Sequence, residues 1–197
     1  MSHYFSKHQT KESNPQTIEY TFKNKQFKFE TDTGVFSKDH VDSATNLLLN
    51  HISIEDNQGI LDLGCGYGVI GITLATFYKI DLTMIDVNER AINLTKKNTE
   101  KHHVKANILV SDGFEHIDKT FDHIVTNPPI RIGKEKLYQL FLNAKSHLKP
   151  QGILWLVIHK KHGALSAIKY LSTLFDVKIV TKDKGFHVLA CQNTLTI

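Results

Sequence analysis

Asn127-Pro128-Pro129-Ile130, in the second half of the chain, combine residue types that suit one reaction. A proline has no backbone N–H and a fixed φ, so two in succession leave carbonyls that can only accept hydrogen bonds. The Asn127 side-chain carbonyl and the Pro128 carbonyl make a pair of acceptors, and a planar NH₂ can donate one hydrogen to each. An exocyclic ring amine is a poor nucleophile because its lone pair is delocalised into the ring. Two directional acceptors favour a more pyramidal nitrogen with its lone pair aimed at an electrophile. No strong base is required, since the proton becomes acidic only as the new N–C bond forms. Most of the acceleration then comes from orientation, which can contribute ~7–11 kcal/mol in favourable cases. Alone, the tetrapeptide also reads as a proline-stiffened turn.

A second constellation precedes it. Asp62-Leu63-Gly64-Cys65-Gly66-Tyr67-Gly68 closes an apolar run. Glycines at alternate positions let the backbone turn sharply and approach a ligand closely. A helix beginning there adds free N–H groups. Gly66, Gly68 and Gly71 also spell a literal GxGxxG, a weak dinucleotide signal on its own. Asp62 argues against that reading. It precedes Gly64 by two residues, where a carboxylate can hold the ammonium of an amino-acid ligand, directly or through water, and would repel a pyrophosphate. The chain is also short for a separate dehydrogenase substrate domain, and Asn127-Pro128-Pro129 has no role in hydride transfer. Asp86, followed by Val87, stands about 20 residues past the glycines, where an acid can accept from both ribose hydroxyls. Asp112-Gly113-Phe114 ends a later apolar run, with Asp112 placed to receive an adenine amino group and Phe114 to lie against its ring.

These residues need a scaffold that brings strand ends together. Short apolar runs at 59–64, 82–87, 106–112, 121–127 and 152–160 alternate with helix-like stretches at 67–79, 88–102, 134–149 and 162–175. Strands apolar on both faces and spaced by helices predict a parallel sheet covered on each side, one doubly wound α/β domain. Runs at 175–182 and 187–195 flank Asp183-Lys184-Gly185 and predict a closing antiparallel hairpin. Ahead of the 59–197 core, residues 17–50 read as a hairpin and a helix. Ile18, Tyr20 and Phe22 alternate with polar residues, Asn24-Lys25 breaks the run, and Phe27 and Phe29 resume it as a core-facing set. Ser37 is a candidate cap for a helix reaching about Asn50, with Val41, Leu47 and Leu48 inward. Residues 1–16 are polar and expected to be mobile.

Bulk properties exclude other classes. The 197 residues suffice for one domain, and 41% hydrophobic with 22% charged is an ordinary globular composition. No stretch approaches the roughly 18 apolar residues of a membrane span, and the N-terminus lacks the apolar segment of a signal peptide. Cys65 and Cys191 resemble neither a disulfide framework nor a zinc site. His159 and His162, and the adjacent His102-His103, lack further ligands at metal spacing, so no metal is expected. A cytoplasmic monomer is the simplest expectation. The net charge of +4 is mildly basic and rests almost entirely on lysine, the arginines being Arg90 and Arg131.

The order of these motifs resembles that of class I S-adenosylmethionine-dependent methyltransferases, over residues 30–197. The resemblance implies a Rossmann-like, seven-stranded, mostly parallel sheet, S-adenosylmethionine as cofactor, and a sulfonium methyl as the electrophile. Asp62, Gly64, Cys65, Gly66, Gly68, Asp86, Val87, Asp112, Gly113, Phe114 and Asn127 would then hold the cofactor. Asn127-Pro128-Pro129-Ile130 resembles the signature of amino-group methyltransferases acting on adenine N6, guanine N2 or glutamine nitrogen, with Ile130 where adenine and glutamine enzymes usually carry an aromatic residue. Gly34-Val35-Phe36-Ser37, Asp42 and Leu47-Leu48-Leu49 resemble bacterial guanine-N2 methyltransferases of small-subunit ribosomal RNA, with Ala44 in place of an expected glycine. Those enzymes often carry a second, degenerate domain, and this chain resembles the catalytic half. Ribosomal RNA or the small subunit is the implied partner, and Phe36, Ser37, Lys38, Arg131, Lys134, Lys136, Lys160 and Lys161 are the RNA-contact candidates. Two alternatives stand beside this reading: methylation of another amine (a transfer RNA base, adenine N6, glutamine or a small molecule), and a cofactor-binding RNA module without catalysis.

Overall fold

The computed structural model describes residues 12–194. Two antiparallel strands come first, β1 (Gln16–Phe22) and β2 (Lys25–Thr31). They are joined by Lys23 and Asn24, both at positive φ (45° and 63°), the primed two-residue turn that matches strand twist. The break expected at Asn24-Lys25 therefore falls one residue earlier. Ile18, Tyr20, Phe22, Phe27 and Phe29 are buried, as the alternation implies. Residues 1–11 of the stretch expected to be mobile lie outside the described residues. Ser13 Oγ and the Asn14 N–H donate to Asp32 at 2.7 and 2.6 Å, an anchoring that polar composition does not reveal.

Helix α1 (Ser43–Leu49) follows. Its cap is Asp42, not Ser37: Ser37 sits at φ 53° in a turn, its hydroxyl donating to the His40 carbonyl. Ser37 lies inside that turn rather than at a helix start, and the helix begins five residues later than a Ser37 cap would place it.

The core strands are β3 (Gly59–Leu63), β4 (Asp81–Asp86), β5 (Asn107–Val110), β6 (Phe121–Thr126), β7 (Leu148–His159), β8 (Asp176–Asp183) and β9 (Phe186–Gln192). They form a seven-stranded sheet in the order β5-β4-β3-β6-β7-β9-β8, with β9 antiparallel to both its neighbours. Helices α2 (Val69–Phe77), α3 (Glu89–Lys101), α4 (Lys134–Ser146) and α5 (Ala164–Leu171) connect them. The expected elements are all present, the helices somewhat shorter. Strand β7 begins earlier than expected because Leu148 pairs with Phe121 beyond a kink at Gln151 (φ 65°). No helix among the described residues is long and apolar enough to cross a membrane.

Alternate strand residues enter separate cores. Ile60, Trp155 and Val157 join α1, α2, α3 and the hairpin on one face. Leu61, Leu154 and Leu156 join α4 and α5 on the other. Period-2 alternation with both faces apolar is what a doubly covered sheet requires. The hairpin is fastened to α3 by Asn98, whose amide bonds both the N–H and the carbonyl of Glu30, at 2.8 and 2.9 Å. Strands β4 and β6 flank β3 and run parallel to it, so the chain leaves β3 on one side and returns on the other. That reversal opens a crevice beyond the carboxyl ends of β3 and β6.

Candidate active site

A cleft of about 1000 Å³ occupies this crevice. Gly64, Cys65 and Gly66 contribute from the loop after β3, Asp86 and Val87 from the end of β4. Asp112, Gly113 and Phe114 line it beyond β5. A Cβ added to Gly64 or Gly66 would meet nothing within 4 Å, and both hold positive φ, so the loop keeps an open backbone cradle. Gly71 is constrained differently: a Cβ there would lie 2.7 Å from Met84 Cε and 3.1 Å from Asp62 Oδ2, so a side chain would have to displace the end of Met84 and press on Asp62. Cys65 places its sulfur 3.7 Å from Thr95 Oγ1 and borders the cleft. Asp86 accepts from the Gly66 N–H at 2.9 Å and the Asn88 N–H at 2.8 Å, and burial raises its pKa. Its carboxylate thus braces the loop while retaining lone pairs for ribose hydroxyls. Phe114 is buried and stacked on His147, ring centroids 4.4 Å apart, and forms an apolar wall beside the exposed Asp112.

Asp62 and Gly68 do not line the cleft. Asp62 is fully buried beneath the loop, Oδ2 accepting from the Gly71 N–H at 2.8 Å. Its Oδ1 has no hydrogen-bond partner among the described residues. Direct contact with a ligand ammonium is therefore not set up, and a water-mediated one is the better fit to this geometry. Desolvation above all, with the Asp86 charge adding to it against the Gly71 hydrogen bond, raises the Asp62 pKa to about 7. That proton favours the fold below the ordinary 3.8, and the contribution is lost as pH rises through about 7. A ligand ammonium prefers the ionised form. Cofactor affinity should therefore rise about tenfold between pH 6 and 8 with proton release at the lower end, and Asp62→Asn should flatten that dependence. Calorimetry in buffers of different ionisation enthalpy measures both.

At the end of β6, Asn127, Pro128, Pro129 and Ile130 all line the cleft, facing the cradle. Asn127 Nδ2 donates to Asp42 Oδ2 at 2.9 Å and approaches Thr45 Oγ1 at 3.1 Å. With the amide NH₂ directed at α1, Oδ1 is left for the cleft. The Pro129 carbonyl accepts from the Ile132 N–H at 3.1 Å, whereas no donor among the described residues bonds the Pro128 carbonyl. Asn127 Oδ1 and the Pro128 carbonyl thus have no hydrogen-bond partner among the described residues.

The RNA-contact candidates divide. Phe36, 45% exposed, lines the cleft with Ser37 and Arg131. Lys38 is paired with Asp39, and Lys134 lies 5.3 Å over the Tyr138 ring; neither lines the cleft. Lys160 and Lys161 are exposed outside it, on the 3₁₀ turn after β7. Lys136 lines it, as expected of a residue close after the acceptor tetrapeptide, and so do His159, His162 and Phe186, which were not candidates. Asp42, Thr45 and the Tyr67 hydroxyl, which donates to the Ser37 carbonyl at 3.1 Å, were not legible as site residues because their partners lie far away in sequence.

The methyltransferase small domain family matches residues 26–190. The chain is 46% identical over 194 residues to the uncharacterized protein YbxB of Bacillus subtilis, covering 95% of this chain and 96% of that one. It is 37% identical over 165 residues to ribosomal RNA small subunit methyltransferase C of Haemophilus ducreyi, covering 80% of this chain and 49% of that one. The chain thus spans about half the length of that relative. Among solved structures, it superposes with a TM-score of 0.82 and 26% identity on the Thermus thermophilus 16S rRNA N2 G1207 methyltransferase (RsmC) in complex with AdoMet and guanosine, covering 90% of this chain and 50% of that one. The family match takes in the glycine loop, the acids after it and the acceptor pair alike, and the chain belongs to the methyltransferase small domain family.

Proposed function

We propose that this S-adenosylmethionine-dependent methyltransferase acts on the exocyclic N2 amine of a guanine in small-subunit ribosomal RNA, in the cytoplasm. The observation that carries the reading is the acceptor pair, Asn127 Oδ1 and the Pro128 carbonyl, facing the glycine cradle across one cleft. When bound, S-adenosylmethionine supplies an electrophilic sulfonium methyl. The cradle of Gly64 and Gly66, with Asp86, Val87, Asp112 and Phe114, would hold it, and Asp62 would act from beneath through water. Asn127 and Pro128 each accept one amine hydrogen, which orients the nitrogen and leaves its lone pair free. No lysine or histidine is needed as a base, since the amine proton departs only as the bond forms.

Guanine is favoured by two facts. Ile130 offers apolar packing where an aromatic platform would contribute ~1–3 kcal/mol of base stacking. The related RsmC proteins are small-subunit methyltransferases, and the Thermus protein's structure holds guanosine. Phe36 supplies an exposed ring at the cleft for a flipped base, and Arg131 and Lys136 supply charge for its phosphates.

Tritiated S-adenosylmethionine, incubated with small subunits, naked ribosomal RNA and transfer RNA from a strain lacking the gene, tests this after digestion to nucleosides. Label in N2-methylguanosine from subunits or ribosomal RNA is the expected result; label in another nucleoside, or in transfer RNA, overturns the substrate. Arg131→Ala should raise the RNA KM several-fold, reduce the salt slope by about 1 and leave cofactor affinity unchanged.

A further inference from the structure

We propose that Asp42 is a positioning residue that sets the orientation of the Asn127 carboxamide, and so makes the segment ahead of the glycine loop part of the catalytic apparatus. The inference rests on the reading of Asn127 Oδ1 as an amine acceptor.

A carboxamide carries an acceptor on one arm and a donor on the other, with almost the same shape either way round. Turned by half a rotation, Asn127 would present its NH₂ to the substrate NH₂, donor against donor, and the acceptor pair would be lost. Something must break that degeneracy. The backbone around Asn127 cannot, because the two prolines that follow it have no N–H to offer. Asp42 Oδ2 can: an ionised carboxylate accepts only, and it stands 2.9 Å from Asn127 Nδ2. Thr45 Oγ1, 3.1 Å from the same nitrogen, adds a second contact on the same side.

The carboxylate is itself held in place. Asp42 caps α1, Oδ2 accepting from the Thr45 N–H at 3.4 Å, and α1 is seated against β7 by the buried Ala44, Leu48 and Leu49. Asp42 and Thr45 therefore address Asn127 from a rigid helix start across 85 and 82 positions of sequence.

Two arms test this on the full chain. In nitrogen-15 spectra, the Asn127 side-chain NH₂ protons, assigned by their loss in Asn127→Ala, should be shifted downfield and exchange slowly with water. Asp42→Ala should return them to solvent-exposed values; unchanged signals would sink the proposal whatever the RNA target is. In the tritium assay, Asp42→Ala should lower kcat about 30-fold with the S-adenosylmethionine Kd within about 3-fold. Asp42→Asn, which keeps a capping side chain, should fall between the two.

The reciprocal exchange separates positioning from packing. Asn127→Asp alone sets two carboxylates against each other and should be nearly inactive. Adding Asp42→Asn restores a donor and acceptor in inverted order, with an oxygen still facing the cleft, and should recover at least about tenfold in kcat. Absence of rescue, or an unaltered kcat in Asp42→Ala, overturns the catalytic role. If the wild-type protein labels no RNA, the guanine assignment fails while the spectroscopic arm still decides the positioning.

Discussion

Asn127→Ala should lower kcat for methyl transfer about 1000-fold while the S-adenosylmethionine Kd stays within about 3-fold. The asymmetry follows from where the side chain spends its hydrogen bonds. Its NH₂ is committed to Asp42 and Thr45, on the protein, and its oxygen is left for the amine in the proposed reaction. A preorganised polar group aimed at developing charge is worth about 100- to 1000-fold when removed singly. Here the deletion also leaves Asp42 with the Thr45 N–H alone, so the remaining Pro128 carbonyl meets the amine beside a carboxylate with acceptor capacity to draw it away. Pro128 itself cannot be tested by truncation, because its contribution is a backbone carbonyl. The measurement is a full kinetic comparison in the RNA assay alongside direct cofactor binding. Turnover within tenfold of wild type would remove Asn127 from the mechanism, and a parallel loss of cofactor affinity would reassign it to the binding site.

The sequence shows the cofactor cradle and the acceptor tetrapeptide because each is local: alternating glycines, an acid at a strand end, two prolines after an asparagine. It shows the sheet for a similar reason, since runs such as Gly59–Leu63 and Phe121–Thr126 are apolar on both faces and separated by amphipathic helices. Contacts set by tertiary closure were not readable. Ser37 has the chemistry of a helix cap, yet it sits in the turn that carries Phe36 to the cleft, and Asp42 takes the cap. Lys134 and Lys38 sit near the right motifs in sequence, but their ammonium groups are drawn to Tyr138 and Asp39. His159 and His162 offered no ligand spacing and so gave no site signal, although both line the cleft where β7 ends. Asp62 combines both cases: its place before the glycines is visible, and its complete burial is not.

Asp86→Ala should weaken S-adenosylmethionine about 100-fold or more, the largest effect expected on binding. One carboxylate does two jobs there. It accepts the Gly66 and Asn88 N–H groups, tying the glycine loop to the start of α3, and in the proposed binding mode its remaining lone pairs accept from the ribose hydroxyls. Hydrogen bonds to a charged group contribute about 1.5–3 kcal/mol each, and losing two of them from the ligand amounts to at least a hundredfold in Kd. The loss of the loop's own bonds adds to this, so the alanine variant alone would mix binding with disorder of the cradle. Asp86→Asn separates them. An asparagine can still accept on one arm but meets the other N–H with an NH₂, so the loop is half supported and the ribose keeps one acceptor. Its affinity should fall between wild type and alanine, with a smaller drop in melting temperature. Burial already holds the Asp86 pKa above its ordinary value, so part of the cost of ionisation is present before any ligand arrives. The neutral asparagine escapes that cost, so the stability gap between the unliganded variant and the wild type should narrow as pH rises. Isothermal titration and thermal melts with and without cofactor give both quantities. If Asp86→Ala binds within about 3-fold of wild type, the ribose lies elsewhere and the acid serves only to brace the loop.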